Sequence, residues 1–441
     1  MARQLFGTDG VRGVAGEFLT ADLAVALARA AVAQSSADRP QVLIVRDTRE
    51  SGEMLEAATA AGVTAAGGDA LLGGVLPTPA APLLLRRHGL QLAVVISASH
   101  NPYRDNGIKI FGADGFKLSD ETEHEIEALL ERPARSPEQI GRVRRLHGAL
   151  EDYLRELHVR FEQLDISHRR LLLDCANGAT YRAAPEIFRR LGAEVDVLAA
   201  EPDGRNINHE CGSTHVEALA NRAAAGDYDV AFAFDGDGDR VLAVDREGVV
   251  VDGDELVALA ALHLREQGRL AGGGVAVTVM TNYGFHAAME TAGIEVATTP
   301  VGDRYVLDEL RRRGWSLGGE QSGHIIELGF GPSGDGIASA LLALEALGDG
   351  ELSTRGAMAK LPQQLVNIRA TDRAALVRAM EQQAVREAID REGTALSGRG
   401  RVLVRASGTE PLIRVMVEAP SESETHAVCA RLTEVVETAI G

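Results

Sequence analysis

Lysine is nearly absent from this chain of 441 residues, in which only Lys109, Lys117 and Lys360 occur. Cysteine is scarce as well, with three residues and no Cys-x-x-Cys spacing, which argues against a disulfide framework and against a zinc site. Every apolar run is shorter than the roughly 18 residues of a membrane-spanning helix. The N-terminal MARQLFGTDG lacks the apolar core of a secretory signal. We therefore expect a cytoplasmic protein without a membrane partner.

The chain also lacks an excess of positive charge. It contains 45 Lys and Arg residues and 64 Asp and Glu residues, so its formal net charge is −19. Nucleic acids and anionic membranes are bound by basic surfaces, so we expect neither as a partner. A local basic pocket for a small anion stays compatible with this charge. The apolar content of 45% and the charged content of 25% are those of a globular protein.

Three segments repeat one pattern of a buried strand, a polar loop and the start of a helix. They begin at Gln41, Arg170 and Gly274 and read QVLIVRDTRESGEM, RLLLDCANGATY and GVAVTVMTNYGF. Each is followed by a second strand that leads into a loop with more polar side chains. Alternating strands and helices are typical of mostly parallel sheets, which bind ligands where their strands end. We predict three similar α/β domains with mixed, mostly parallel sheets.

The last part of the chain follows a different pattern. RVLVRASGTEPLIRVMVEA has the alternation of two antiparallel strands around an SGTE turn, and a helix, THAVCARLTEVVETAI, follows it. A smaller C-terminal α+β domain fits this pattern. The predicted domains are residues 1–150, 151–253, 254–363 and 364–441.

The loop SASHNP follows the buried strand LAVVI, and Pro102 prevents the strand from continuing. The loop is either a turn whose hydroxyls bind local backbone groups or a loop that presents a phosphorylatable serine, Ser99. A hydrolase is disfavoured because the chain here has no G-x-S-x-G elbow. We also expect the adjacent Ser99 and His100 side chains to point apart.

The loop DGDGDR follows the buried run VAFAF and carries Asp235, Asp237 and Asp239. Carboxylates at i, i+2 and i+4 can face one side, and the glycines between them let the backbone curl around a cation. Three hard oxygen donors suit Mg²⁺. A calcium EF-hand is excluded, because Arg240 and Arg246 stand where that loop needs Gly and Glu. The alternative is a solvated turn, but three like charges after a buried strand favour a metal.

Two further loops are candidates for ligand binding. GGEQSGH, residues 318–324, offers a carboxylate, an amide, a hydroxyl and an imidazole, which suit sugar hydroxyls, although a simple loop explains it equally well. RASGTE pairs Arg405 with Arg414 on the next strand, which fits either a phosphate-binding nest or an ordinary hairpin turn. GFGPSG, residues 329–334, matches a dinucleotide-binding pattern, but Pro332 removes an N–H and the preceding HIIEL is a weak strand.

Six motifs in this order resemble those of the α-D-phosphohexomutase superfamily: LFGTDGVRG, ISASHNPYRDNGIKIFG, FDGDGDR, VGDRYV, GGEQSGH and RASGTEPLIRVMVE. The resemblance extends over essentially the whole chain. The forms S-A-S-H-N-P and G-E-Q-S-G-H are similar to the phosphoglucosamine branch, whereas phosphomannomutase/phosphoglucomutase relatives more often have T-A-S-H-N-P and G-E-M-S-G-H. The resemblance implies four domains around a central cleft, three alike and the fourth smaller.

The resemblance also implies roles for individual residues. Ser99 is implied to be a phosphoserine, with Lys109 and Arg12 as partners of the phosphoryl group in transfer. Glu320 and Ser322 are implied to contact sugar hydroxyls. The residues implied to hold Mg²⁺ are Ser99, Asp235, Asp237 and Asp239. Those implied to hold the phosphate that is not reacting are Arg405, Ser407, Gly408, Thr409 and Arg414.

The implied reaction interconverts α-D-glucosamine 6-phosphate and α-D-glucosamine 1-phosphate and feeds UDP-N-acetylglucosamine synthesis. It passes through a phosphoserine enzyme and glucosamine 1,6-bisphosphate, with glucose 1,6-bisphosphate as an alternative activator. We expect a homodimer whose serine is first phosphorylated by a kinase or by the protein itself. The alternatives are a phosphomannomutase/phosphoglucomutase and a catalytically idle phosphosugar-binding sensor. Binding alone needs neither Ser99 nor the three aspartates, which argues against the sensor.

Overall fold

The computed structural model describes residues 5–7, 9–130, 137–370, 373–406 and 411–440. The N-terminal sheet has six strands: β1 (Val11–Val14), β2 (Gln41–Arg46), β3 (Asp69–Val75), β4 (Leu92–Ile96), β5 (Asp105–Gly112) and β6 (Val143–Arg145). Their order across the sheet is β1-β5-β4-β2-β3-β6. Strands β2, β3, β4 and β6 are parallel, and β5 runs antiparallel to both β4 and β1.

Five helices accompany this sheet: α1 (Ala21–Gln34), α2 (Gly52–Ala65), α3 (Ala80–His88), α4 (Asp120–Leu130) and α5 (Ala149–Arg160). Val42 and Ile44 of β2 belong to a core cluster with residues of α1, α2 and α4. Leu43 and Val45, which alternate with them and therefore face the other side of the sheet, are also fully buried. Burial of both faces explains why these strands are continuous apolar runs.

The second sheet has five strands: β7 (Arg170–Asp174), β8 (Glu194–Leu198), β9 (Val230–Phe234), β10 (Val241–Asp245) and β11 (Val250–Val251). Their order is β11-β10-β9-β7-β8. Its helices are α6 (Ala183–Arg190) and α7 (Glu217–Ala225). Helix α8 (Gly253–Glu266) follows, and its first turn is closed by a capping box between Asp252 and Glu255.

The third sheet has four strands: β12 (Gly274–Thr278), β13 (Glu295–Thr299), β14 (Leu317–Gly319) and β15 (Ile325–Glu327). Their order is β13-β12-β14-β15. The helices of this part of the chain are α9 (Tyr283–Thr291), α10 (Asp303–Arg313) and α11 (Gly336–Leu347).

The three sheets share one four-strand plan, which confirms the repeat predicted from the sequence. The shared orders are β5-β4-β2-β3, β10-β9-β7-β8 and β15-β14-β12-β13. In each sheet the second central strand is parallel to the first, and the strand after it returns antiparallel. The candidate loops after β4, β9 and β14 therefore occupy the same place in all three domains.

The C-terminal sheet has three strands, β16 (Gln363–Arg369), β17 (Arg401–Ala406) and β18 (Leu412–Glu418), in the antiparallel order β16-β18-β17. Its helices are α12 (Arg373–Glu381), α13 (Gln383–Ala395) and α14 (Glu422–Ile440). The predicted pair of strands and the final helix are confirmed. Helix α14 begins three residues before the predicted segment, because the Ser421 hydroxyl accepts a hydrogen bond from the Glu424 N–H.

The chain divides into two compact units. The first comprises Met1–Val279 and Ala297–Arg355, and the second comprises Met280–Val296 and Gly356–Gly441. The α/β class with three similar domains and a smaller fourth domain is confirmed, while the four boundaries stay predictions. Within the described ranges, no helix combines the length and the apolar character that crossing a bilayer requires.

Candidate active site

Ser99 lies in the loop after β4, is 1% exposed and has a left-handed backbone with φ of 53°. Its hydroxyl donates a 2.6 Å hydrogen bond to Oδ2 of Asp235, in the loop after β9. A Cβ at position 236 would lie 2.5 Å from the Ser99 carbonyl oxygen, so glycine allows these two loops to approach. The Ser99 hydroxyl also lies 3.4 Å from Nδ1 of His100. The expectation that these two side chains point apart was wrong. Neighbouring side chains point to opposite sides in an extended strand, but not where the backbone is left-handed, as it is at Ser99.

A buried arginine holds the Ser99 loop from behind. Arg49 donates to the carbonyl oxygens of Ser99 and Asn101 at 2.8 and 2.9 Å and to Oδ2 of Asp47 at 2.8 Å. The Asn208 amide donates to the Ser99 carbonyl oxygen at 2.9 Å. Neither Arg49 nor Asn208 was predicted from the sequence. The only sequence signal for Arg49 was its place in the polar loop RDTRE. A polar loop does not show that the guanidinium contacts the Ser99 loop.

Asp235, Asp237 and Asp239, here called the aspartate triad, each offer an oxygen within 4.8 Å of the others. Their exposures are 1%, 1% and 4%, and Gly238 takes a left-handed φ of 73° between two of them. Burial, together with repulsion from Asp239 and Asp237, raises the pKa of Asp235 well above its usual value. Oδ1 of Asp237 has no hydrogen-bond partner among the described residues. This set of buried oxygens could hold a metal ion.

Lys109 on β5 is the cation nearest to the aspartate triad and is 1% exposed. Its ammonium lies 2.8 Å from Asp237, 3.0 Å from Asp9 and 3.6 Å from Asp239. Burial alone would lower the pKa of Lys109, but these carboxylates raise it above the usual value. The ammonium therefore stays charged inside the protein. The Thr78 hydroxyl donates to the same Asp237 oxygen at 2.6 Å.

Arg12 lies on β1 and forms an ion pair with Asp9. Asp9 is a shared anion, since it also pairs with Lys109 and Lys117. Burial alone would raise the pKa of Asp9, but these three cations hold it well below the usual value. The predicted partners of a phosphoryl group, Lys109 and Arg12, are thus joined through one carboxylate.

The loop after β14 reaches the aspartate triad through His324, whose Nδ1 lies 3.7 Å from Asp239. The Val241 N–H also donates to the Gly323 carbonyl oxygen at 3.1 Å. Glu320 is 9% exposed and accepts a 3.0 Å hydrogen bond from the Gly302 N–H. Ser322 is exposed on the same loop. All of the predicted catalytic, metal and sugar residues therefore belong to the first unit.

The two predicted phosphate-binding arginines belong to the second unit. Arg405 on β17 and Arg414 on β18 are cross-strand partners in the antiparallel register, so their side chains leave the sheet on the same face. We call them the arginine pair. Burial and the Arg414 charge lower the pKa of Arg405. Ser407, Gly408 and Thr409, which were predicted to act with this pair, lie outside the described residues.

Family models cover nearly the whole chain. The models of phosphoglucomutase/phosphomannomutase alpha/beta/alpha domains I, II and III match residues 3–136, 151–248 and 252–365, and the model of the C-terminal domain matches residues 365–435. The chain belongs to the phosphoglucomutase/phosphomannomutase family. The resemblance inferred from the six motifs is confirmed.

Close relatives within the phosphoglucomutase/phosphomannomutase family share nearly half of their residues with this chain. A phosphoglucosamine mutase from Moorella thermoacetica is 49% identical over 442 residues, which cover 98% of this chain and 99% of the relative. A phosphoglucosamine mutase from Mycobacterium marinum is 47% identical and covers 99% of both chains.

Solved structures of more distant relatives share the fold. A phosphoglucomutase/phosphomannomutase family protein from Burkholderia thailandensis superposes with a TM-score of 0.83 at 23% identity, over 98% of this chain and 97% of that chain. The N-acetylphosphoglucosamine mutase of Aspergillus fumigatus, solved in complex with GlcNAc-6P and magnesium, has a TM-score of 0.66 at 19% identity, over 99% of this chain and 96% of that chain.

Proposed function

We propose that this member of the family is a phosphoglucosamine mutase, which interconverts α-D-glucosamine 6-phosphate and α-D-glucosamine 1-phosphate. The observation that carries the proposal is the 2.6 Å contact between the buried Ser99 hydroxyl and the aspartate triad. A nucleophile beside a buried cation site suits phosphoryl transfer, which depends on positioning and on neutralising charge. The shared name of the relatives at 45–49% identity supports the choice of sugar.

Ser99 carries the phosphoryl group in this proposal. Transfer of that group to the free sugar hydroxyl gives glucosamine 1,6-bisphosphate and leaves the serine hydroxyl. The bisphosphate then turns end for end and returns its other phosphoryl group to Ser99, which completes the isomerisation. Glucose 1,6-bisphosphate would phosphorylate the serine in the same way. The burial of Ser99 protects the phosphoserine from hydrolysis.

The aspartate triad fits Mg²⁺, because it consists of hard oxygen donors, is buried and leaves Oδ1 of Asp237 without a hydrogen bond among the described atoms. Asp235, Asp237, Asp239 and the phosphorylated Ser99 would hold the ion. When bound, Mg²⁺ neutralises charge on the phosphoryl group. Lys109 and Arg12 donate to the phosphoryl oxygens as the group moves. The Asp9 carboxylate between them orients both cations.

Recognition of the sugar is assigned to Glu320 and Ser322, which accept hydrogen bonds from its hydroxyls. Glu320 also attracts the C2 ammonium that distinguishes glucosamine from glucose. The phosphate that is not transferred is assigned to two guanidinium groups and to a Ser-Gly-Thr segment whose residues carry N–H and hydroxyl donors. This set is Arg405, Ser407, Gly408, Thr409 and Arg414.

Ser99→Ala tests the proposal most directly. Mutase turnover should fall to background, because the variant cannot carry the phosphoryl group, while the midpoint of thermal unfolding stays near that of the wild type. Intact mass should show one added phosphate on the active wild type and none on the variant. Ser339→Ala, which removes another buried hydroxyl from the first unit, should keep its activity. A fully active Ser99→Ala protein contradicts the mechanism.

The choice of sugar is tested by kcat/KM on glucosamine, glucose and mannose 6-phosphates. An ammonium–carboxylate pair that water screens in an open cleft contributes on the order of 1 kcal/mol, so we expect a roughly tenfold preference for the amino sugar and measurable turnover of glucose 6-phosphate. A value for glucose or mannose phosphate equal to or above that for glucosamine phosphate would assign the protein to the phosphoglucomutase or phosphomannomutase branch. Binding of all three without turnover would indicate a sensor.

We also propose a cytoplasmic homodimer whose Ser99 is first phosphorylated by a kinase or by the protein itself. These proposals rest on the resemblance to the family. Light scattering of the purified chain tests the dimer. Intact mass after incubation of dephosphorylated protein with ATP alone tests autophosphorylation, and added phosphate only in the presence of a kinase supports the other route.

A further inference from the structure

Lys117 and Asp303 have no role in the proposed chemistry, although both lie in its immediate surroundings. Lys117 follows β5, and Asp303 is the first residue of α10 and belongs to the motif VGDRYV. Their side chains are 12% and 18% exposed and form an ion pair at 2.5 Å. They are 186 residues apart in the sequence, so this contact exists only in the folded protein.

This ion pair is one link in a closed ring of six side chains, in which nitrogen-bearing groups and carboxylates alternate. We call this set the charge ring. In order around the ring its members are Lys109, Asp9, Lys117, Asp303, His324 and Asp239.

The ring closes at distances that fit ion pairs throughout. Lys109 lies 3.0 Å from Asp9 and 3.6 Å from Asp239, and Lys117 pairs with Asp9. On the other side, Nε2 of His324 lies 3.9 Å from Asp303 and its Nδ1 lies 3.7 Å from Asp239. The ring therefore joins the N-terminal loop, β5, α10, the loop after β14 and the aspartate loop.

The Lys109 ammonium has two competing partners, Asp237 at 2.8 Å and Asp9 at 3.0 Å. A cation held by the aspartate triad repels Lys109, so Asp9 is the carboxylate that can then keep it in place. The direction of the Asp9 side chain depends in turn on its other two cationic partners, Lys117 and Arg12. Asp303 anchors Lys117, because it stands at the N-terminus of an eleven-residue helix, where a carboxylate is stabilised.

We propose that Lys117 and Asp303 are positioning residues for phosphoryl transfer, holding Lys109 through Asp9 and Asp239 through His324. The inference rests on the proposed function and extends it to two residues that do not touch the reacting atoms. The ring couples its members, because removing one of them takes away the partner that its two neighbours share.

The test compares Lys117→Met, Asp303→Asn and the double variant with the wild type. Each single variant should lower kcat on the order of tenfold, since a misplaced Lys109 weakens transfer, with KM changed by less than about twofold. The double variant should be about as slow as the slower single variant, because both break the same ring. Lys117→Arg should keep most of the wild-type kcat. Unchanged kcat in the single variants, or losses that multiply in the double variant, would overturn the proposal.

Calorimetric titration with Mg²⁺ alone gives a readout that does not depend on turnover. Loss of a cation in Lys117→Met should tighten binding and loss of an anion in Asp303→Asn should weaken it, each by about twofold to threefold. A loosened fold would instead weaken binding in both variants, and that result counts against the ring.

Arg160→Met and Glu327→Gln are matched controls. These residues form a 2.8 Å ion pair in the same unit, and their side chains are 13% and 14% exposed, but neither belongs to the charge ring. Their kcat should stay within about twofold of the wild type, and an equal loss in the controls would overturn the proposal. A wild-type protein without mutase activity would overturn the proposed function instead, and the opposite shifts in Mg²⁺ affinity would still test the ring.

Discussion

The aspartate triad of the first unit and the arginine pair of the second unit both place like charges side by side. The triad puts three carboxylates within 4.8 Å in the protein interior. The arginine pair puts two guanidinium groups on opposite residues of neighbouring strands. Burial and the neighbouring like charges together move a pKa in the direction that disfavours charge, upward for Asp235 and downward for Arg405. Under the proposed function, a cation bound by the triad and an anion bound by the pair would relieve this repulsion.

The protein itself compensates part of the repulsion within the aspartate triad. Lys109 lies against the aspartate triad and offsets part of its charge. Outside the candidate active site, opposite charges lie side by side, as where Arg160 joins Glu327 and Glu345 at 2.8 and 3.3 Å. We therefore expect ion pairs outside the candidate active site to serve stability, and clusters of like charge to serve binding. Three variants test this distinction.

Asp235→Asn should have the largest effect. Losing the negative charge of one proposed metal ligand, which also accepts a hydrogen bond from the Ser99 hydroxyl, should lower kcat on the order of 100-fold. Because burial and repulsion raise the pKa of Asp235, this carboxyl group lowers the stability of the ligand-free protein at neutral pH, so the midpoint of thermal unfolding measured in EDTA should rise in the variant.

Asp245→Asn is the matched control, since Asp245 is 2% exposed but pairs with Arg355 at 3.3 Å. This change should lower the unfolding midpoint and leave kcat nearly unchanged. If Asp235→Asn also lowers the midpoint in EDTA, the aspartate triad is a structural cluster and the comparison fails.

Arg405→Met should have an intermediate effect that appears mainly in KM. A charge-assisted hydrogen bond to phosphate contributes about 1.5–3 kcal/mol, which corresponds to a rise in KM of roughly tenfold or more. Affinity for Mg²⁺ should not change. Arg399→Met, which removes an exposed arginine paired with Glu424 at 3.0 Å, should leave KM unaltered. Equal KM values for the two variants would remove Arg405 from phosphate binding.

Glu345→Gln should have the smallest effect and change only stability. Burial alone would raise the pKa of Glu345, but His263, Arg160 and Arg269 lower it to about 2. In the unfolded chain the group takes up a proton at higher pH, near its ordinary value of 4.5. The wild type therefore loses this stabilisation as the pH falls from about 4.5 to 2, and the variant should lack that part of the pH dependence.

At neutral pH the variant should be less stable by about 1 kcal/mol, a value that allows for solvent screening of a half-buried pair. Urea unfolding at pH 7 and at pH 3 measures both effects. A kcat that falls with Glu345→Gln would show that ion pairs outside the candidate active site also serve catalysis, and would contradict this distinction.

Most of the fold was predictable because it depends on local patterns. Apolar runs such as VAFAF must be buried, glycine loops interrupt them, and this alternation predicted the three related sheets. Strand β16 of the C-terminal domain was not predicted. Its residues alternate only weakly between buried and exposed positions, and Leu365 is 45% exposed. The residues of the aspartate triad were predictable as a group, since spacing of two residues in one loop brings them together without help from the rest of the chain.

Local sequence patterns specify the strands, the loops that follow them and the chemical groups that each loop carries. Which of these groups meet depends on how distant segments pack. Ser99 contacts Asp235 across 136 residues, and Lys117 reaches Asp9 across 108 residues. The physical reason is range: a turn places neighbouring side chains through its own dihedral angles, whereas an ion pair between distant loops forms only after sheet packing has fixed both backbones. For that reason Arg49, Asn208 and the charge ring could not be recognised before the fold was known.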